Sequence, residues 1–107
     1  NGFSAALHYL TANLSEQYDI DKLCKIACMS RTKFFELFKR NLGCSPLVYQ
    51  NQQRLKRSAQ LISQGKQITQ VCYEVGFINA SHFSRAFKRY FGLSPNQYRK
   101  RHCVSYV

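Results

Sequence analysis

The chain contains one pattern twice, and a duplicated unit has to fold as the same small structure two times over. The first copy runs from Ile20 to Tyr49 and the second from Ile68 to Tyr98. At an offset of 48, Ile20, Leu23, Cys24 and Met29 meet Ile68, Val71, Cys72 and Phe77. At an offset of 49, Phe34, Phe38, Lys39, Arg40, Gly43, Ser45, Pro46 and Tyr49 meet Phe83, Phe87, Lys88, Arg89, Gly92, Ser94, Pro95 and Tyr98. The register slips by one residue between these blocks, which puts the extra residue of the second copy in a turn. Each copy therefore reads as a helix, a tight turn and a second, basic helix.

Start and stop signals place the remaining elements. Phe3, Ala6, Leu7, Leu10 and Leu14 recur at helical spacing and predict an amphipathic helix over roughly residues 3 to 14. Its stripe belongs to a core, because the opposite face has no Lys or Arg to meet lipid. Asp19 can cap a helix from Ile20, with Leu23, Ile26 and Ala27 inward and Met29 against the turn. Ser30 can cap a helix over 31–41 that Gly43 ends, and Asn79 a helix over 80–90 after a turn at Gly76. Ser45-Pro46 and Ser94-Pro95 repeat a capping serine followed by proline at the first helical position. They open a long helix over 46–63, stopped by Gly65, and a short one over 95–100. With a further helix over 68–74 and no period-two alternation, the chain reads as an all-α domain of about seven helices. It holds two helix-turn-helix units, 20–42 and 68–91. The units sit in lobes of about 3–45 and 66–101, joined by the long helix.

Charge points to the partner. Sixteen Lys and Arg against five Asp and Glu give a formal net charge of +11, a balance that favours a polyanion. The cations cluster at 31, 33, 39 and 40, at 54, 56 and 57, at 85, 88 and 89, and at 99 to 101, whereas Glu36 is the one acid on the second helix of either copy. A length of 107 residues with 45% hydrophobic content supports a modest core and leaves no room for an enzyme cleft of ordinary size. No apolar run approaches the ~18 residues of a membrane span and no signal-peptide pattern opens the chain, so the expected setting is the cytoplasm, with no membrane partner. With Asn1 in place of methionine, the expectation is a segment of a longer protein.

Helical geometry then selects the face that meets the polyanion. Phe34, Leu37, Phe38 and Leu42 form one stripe, as do Phe83, Ala86, Phe87, Tyr90 and Phe91. Opposite them, at 100° per residue, stand Thr32, Lys33, Phe35, Glu36, Lys39 and Arg40 in the first copy and Ser81, His82, Ser84, Arg85, Lys88 and Arg89 in the second. An apolar side and a basic, hydrogen-bonding side suit the major groove of double-stranded DNA. Base edges are reached from the N-terminal half of such a helix and phosphates from the rest. That assigns Thr32, Lys33, Phe35, Glu36, Ser81, His82, Ser84 and Arg85 to bases, and Lys39, Arg40, Lys88 and Arg89 to phosphates; Arg31, at the start of its helix, is a further phosphate candidate. Arg85 is the sharpest assignment: its fork matches O6 and N7 of guanine, a pairing worth roughly 1–3 kcal/mol of discrimination. Glu36 stands where the second copy has Arg85. It can accept from a cytosine amino group or, more commonly for such a residue, pair with Arg40 four places on.

Competing chemistry is thin. The cysteines, Cys24, Cys28, Cys44, Cys72 and Cys103, lack the paired spacing of a zinc site, and matched Cys24 and Cys72 suit small buried hydrophobes, so neither metal nor cofactor is expected. Paired carboxylates on a reading face, a phosphate-cradling glycine loop and a GxSxG nucleophile are all missing, which excludes the usual enzyme classes. A non-specific polyanion binder remains the alternative.

The second copy, IxxVCxxVGFxNxSHFSRAFKRYFGxSPxQYR, resembles the signature of AraC/XylS-family transcription regulators. The matches are Val75-Gly76-Phe77, Phe83, Arg85, Phe87-Lys88, Gly92, Ser94-Pro95 and Tyr98-Arg99, and the likeness covers nearly the whole chain. It implies a bacterial-type gene regulator, most often an activator touching RNA polymerase, with a sensing or dimerisation domain elsewhere. The DNA-binding fragment would itself be a monomer. It also implies two reading helices on one side of the duplex, contacting segments on the order of 10 base pairs apart. Bending straight duplex to fit would cost about 1–6 kcal/mol. Carried over residue by residue, the family's readers map to Thr32, Phe35, Glu36 and Lys39, and to Ala80, Ser81, His82, Ser84, Arg85 and Lys88. An arginine can stand at Glu36 in relatives and a large aromatic at Thr32, which shifts the expectation of base reading toward the second lobe.

Overall fold

Six of the seven described helices, all but the fifth, begin where a side-chain oxygen takes up an amide that has no intrahelical partner. In the computed structural model, which describes residues 1–102, Asn1 accepts from the Ser4 amide (2.8 Å) at the head of α1 (Gly2–Ala12). Asp19 accepts from the Lys22 amide (3.1 Å) before α2 (Ile20–Ala27), and Ser30 from the Lys33 amide (3.2 Å) before α3 (Arg31–Leu42). Ser45 opens α4 (Pro46–Ser63) through the Val48 amide, also at 3.2 Å. After α5 (Ile68–Glu74), Asn79 accepts from the His82 amide (3.0 Å) at the start of α6 (Ala80–Phe91). Ser94 and Gln97 exchange bonds ahead of α7 (Pro95–His102), the Gln97 side chain accepting from the Ser94 amide (2.9 Å) and the Ser94 hydroxyl from the Gln97 amide (3.2 Å). Seven helices and no strand are present among the described residues, so the all-α expectation holds. Cys103 lies outside the described residues.

Helix ends are where reading and structure part. The first helix stops at Ala12 rather than near residue 14, because Asn13 leaves helical geometry (φ −129°, ψ 47°) and its side-chain amide donates to the Tyr9 carbonyl at 2.9 Å. The recognition-type helices each gain one residue, to Leu42 and Phe91, before Gly43 and Gly92 turn left-handed (φ 78° and 79°). The last helix continues to His102, whose ring stacks on Tyr98 at 4.2 Å.

The chain forms two compact units, 1–53 and 54–107, and the division falls inside α4. In the first, Ala6 and Leu10 of α1 cover Leu23, Cys24 and Ala27 of α2 and Phe34 and Phe38 of α3. The α1 helix comes so close to α2 that a Cβ on Gly2 would collide with the Ala27 carbonyl, which requires glycine there. In the second, Leu55, Ala59, Leu61 and Ile62 of α4 pack with Val71 and Cys72 of α5, with Val75 and Phe77 of the turn, and with Phe83 and Phe87 of α6. The repeat is thus a repeat of buried positions. Leu23/Val71, Cys24/Cys72, Ala27/Val75, Phe34/Phe83 and Phe38/Phe87 are all buried. The ring pairs recur as well: Phe34–Phe38 and Phe83–Phe87 both at 5.7 Å, Phe38–Tyr49 at 5.5 Å and Phe87–Tyr98 at 5.4 Å. Burying a phenylalanine side chain contributes about 1.5–3 kcal/mol, so these matched rings are the main anchors of both units.

Candidate nucleic-acid interface

Anchoring Phe34 and Phe38 in one core and Phe83 and Phe87 in the other fixes the rotation of α3 and α6, and therefore what each turns to solvent. Every residue assigned to bases or phosphates, whether from helical geometry or, like Ala80, from the family resemblance, is exposed: Arg31, Thr32, Lys33, Phe35, Glu36, Lys39 and Arg40 on α3, and Ala80, Ser81, His82, Ser84, Arg85, Lys88 and Arg89 on α6. Phe35 retains 38% of its surface, so its ring is half outside the core that holds Phe34. His82 turns its ring edge-on to Phe77 at 5.8 Å, which fixes the imidazole at the head of α6.

Three of the five acids are occupied away from these faces. Glu16 accepts from the Tyr9 hydroxyl at 2.7 and 2.9 Å and lies 3.4 Å from Lys22 Nζ. The Tyr9 bond is the main reason its carboxyl is held below the usual carboxylate value, with Lys22 assisting. Asp19 caps α2, and Glu74 pairs with Lys66 at 3.7 Å. Among the described residues, no ion pair involves Lys33, Lys39, Arg40, Arg85, Lys88 or Arg89. Their charge is left for an outside anion.

Two expectations change. Arg31 does not point freely outward: its guanidinium donates to Asp21 Oδ1 through Nη2 at 2.6 Å and Nε at 3.1 Å, tying α3 to α2. Asp21 is also the chief reason the guanidinium holds its proton more tightly than usual. Glu36 forms no ion pair with Arg40 among the described residues, so the acid on α3 faces solvent with its accepting oxygens open. One exposed residue escaped the helical reading altogether. Ile78, in the turn before α6, keeps 92% of its surface, and the slip in repeat register was its sequence signal.

Two of the described thiols are buried. Burial pushes the Cys24 and Cys72 thiols up, which keeps them protonated and inert near neutral pH. No group of three or more His, Cys, Asp or Glu side chains able to hold a metal occurs among the described residues. No helix among them is long and apolar enough to cross a membrane.

A helix-turn-helix domain family matches residues 23–101. The chain aligns over 94% of its length with an AraC-type DNA-binding domain-containing regulator from Chromobacterium violaceum (TM-score 0.87, 30% identity, 91% of that chain). The chain belongs to the AraC-type helix-turn-helix family. A second structure, the DNA-binding domain of the global transcriptional factor AdpA in complex with a target DNA, superimposes with a TM-score of 0.88 at 26% identity, over 94% of this chain and 92% of that one. In sequence the chain is 38% identical over 86 residues to the HTH-type transcriptional regulator MtrA of Neisseria gonorrhoeae, covering 79% of this chain and 29% of that protein. These relatives are transcription regulators and DNA-binding domains, and the AraC-type chain described here is not an enzyme. It spans 25–37% of the length of the curated regulators it matches.

Proposed function

We propose that this AraC-type domain reads double-stranded DNA by inserting α3 and α6 into successive major-groove segments, and that it serves a cytoplasmic transcription regulator. The observation that carries this reading is the pair of outward faces on α3 and α6. Each is backed by two buried phenylalanines, and apart from Arg31, which pairs with Asp21, no cation on either face has an acid paired to it among the described residues. The similarity to the AdpA domain, which was crystallised with a target DNA, supports the same use here. Thr32, Lys33, Phe35 and Glu36 on α3, and Ala80, Ser81, His82, Ser84 and Arg85 on α6, meet base edges, with Arg85 on a guanine. Lys39, Arg40, Lys88 and Arg89 meet phosphates, and Arg31 adds charge while it braces α2. The short span relative to full-length regulators supports a further sensing or dimerisation domain in the complete protein. In that protein the domain acts mainly in activation, beside RNA polymerase.

Selection from a randomised duplex library at physiological salt tests the reading. Enrichment of two short blocks about one helical turn apart, on the order of 10 base pairs, is the expected outcome. Retention of DNA without enrichment would reduce the domain to a non-specific polyanion binder. On the selected duplex, Arg85→Ala relaxes the preference at one base pair by roughly 1–3 kcal/mol. Lys39→Ala weakens all duplexes alike and lowers the salt slope by about 1. Equal losses on every sequence for both variants sink the assignment of Arg85.

A further inference from the structure

Ile78 is the residue that the second repeat has and the first lacks: Met29 matches Phe77 at an offset of 48, and Ser30 matches Asn79 at 49. Among the described residues it is the most exposed of the large hydrophobics, at 92%, although both its neighbours are held in place. Phe77 is buried, its ring 5.2 Å from that of Phe83 and its amide donating to the Cys72 carbonyl at 3.0 Å. Asn79 is fixed as the cap of α6. The inserted side chain is thus carried between two anchored residues at the head of the helix assigned to base reading, and its β-branch leaves it few rotamers to lose on contact.

Charge selects the occupant of this position. The α6 helix that Ile78 precedes carries Arg85, Lys88 and Arg89 and no acidic residue. A surface that approaches it must be anionic and must also offer an apolar patch at the tip of the helix. The major groove of DNA does both, and the apolar group among its base edges is the C5-methyl of thymine. We propose that Ile78 packs on a thymine methyl at the edge of the segment read by α6, so that the inserted residue is a specificity determinant alongside the hydrogen-bonding side chains. This rests on the groove-reading function proposed for α6.

The test uses this chain and its selected duplex, with each thymine of the α6 block replaced in turn by 2′-deoxyuridine. That replacement removes the methyl and keeps the pairing. At one position the wild-type chain should lose about fourfold in affinity, the equivalent of one buried methyl. Ile78→Ala should bind the thymine duplex about fourfold more weakly and be indifferent to uracil there. Because Ile78 is exposed, its replacement leaves the core intact, and persistence of the Arg85-dependent base preference confirms a folded reader. A block without thymine, an unchanged thymine-to-uracil ratio in Ile78→Ala, or equal weakening on both bases overturns the inference while α6 reading stands. A chain that enriches no sequence overturns both.

Discussion

The two helix-turn-helix units have matching interiors and different surfaces. Beneath the surface, Phe34 and Phe38 repeat as Phe83 and Phe87 with the same 5.7 Å ring separation, over matched Cys24 and Cys72. At the surface, Glu36 stands opposite Arg85, and a short turn through Cys28 and Met29 stands opposite a longer one through Gly76, Phe77 and Ile78. Packing tolerates volume changes poorly and constrains both copies to one solution. An exposed face answers only to its partner, so it is free to diverge. Duplication here preserves the device that aims a helix, and leaves open what the helix reads.

The strongest way to break the matching-interior half of this comparison is to empty it in each unit. Phe38→Ala and Phe87→Ala should each destabilise their unit by about 3–5 kcal/mol, measured by urea denaturation followed through helical circular dichroism. That is a large fraction of the stability of a small domain. The two losses should agree within about 1 kcal/mol, since both rings are fully buried between an aromatic of the same helix and a tyrosine of the next. A loss of less than about 1 kcal/mol in either would show that the repeat is not a repeat of core positions.

Exchanging the divergent surface charges sharpens the other half. Arg85→Glu should weaken binding to the selected duplex by at least tenfold, because it removes a guanine contact worth about 1–3 kcal/mol and brings a carboxylate to the groove. Glu36→Arg should act in the opposite sense. It removes the acid that stands without an ion-pair partner on α3 and should steepen the salt dependence by about 1 for each phosphate newly met. Filter binding over a salt series measures both. Equal and opposite shifts would mean that the two faces lie equally close to DNA. No response in the first unit would place all base reading in the second.

These contrasts also mark what can be seen in a sequence like this. The caps at Asp19, Ser30, Asn79, Ser45 and Ser94 act over three residues, so they were visible before any fold was known. The outward direction of Lys39, Arg85 or Arg89 follows from helical periodicity once the phenylalanine stripe is assigned inward. The Arg31–Asp21 pair was not visible, because it joins residues ten apart across the angle between α2 and α3. A Glu36–Arg40 pair was permitted by spacing and does not form, since an exposed ion pair gains about 0–1 kcal/mol and geometry need not bring it together. The exposure of Ile78 was hidden for a different reason: it belongs to no periodic element, and only the misregister between copies betrays it.

The two turns themselves allow the finest test. Cys28 and Gly76 occupy matched positions, and both take positive φ, 57° and 110°. At 57° a side chain is tolerated with strain, whereas 110° lies beyond the left-handed region open to residues with a Cβ. Gly76→Ala should therefore cost about 1–3 kcal/mol, read as a lowered urea midpoint. Cys28→Gly should move the other way by less. Relief of a left-handed Cβ is worth about 1–2 kcal/mol, and the added freedom of glycine in the unfolded chain takes back about 0.5–1. The net gain is about 0–1.5 kcal/mol, or a rise in melting temperature of up to about 12 °C for a unit of this size. If Cys28→Gly instead destabilised the protein, the cysteine would have to contribute a contact that outweighs its strain. The two turns would then differ in their packing as well as their length.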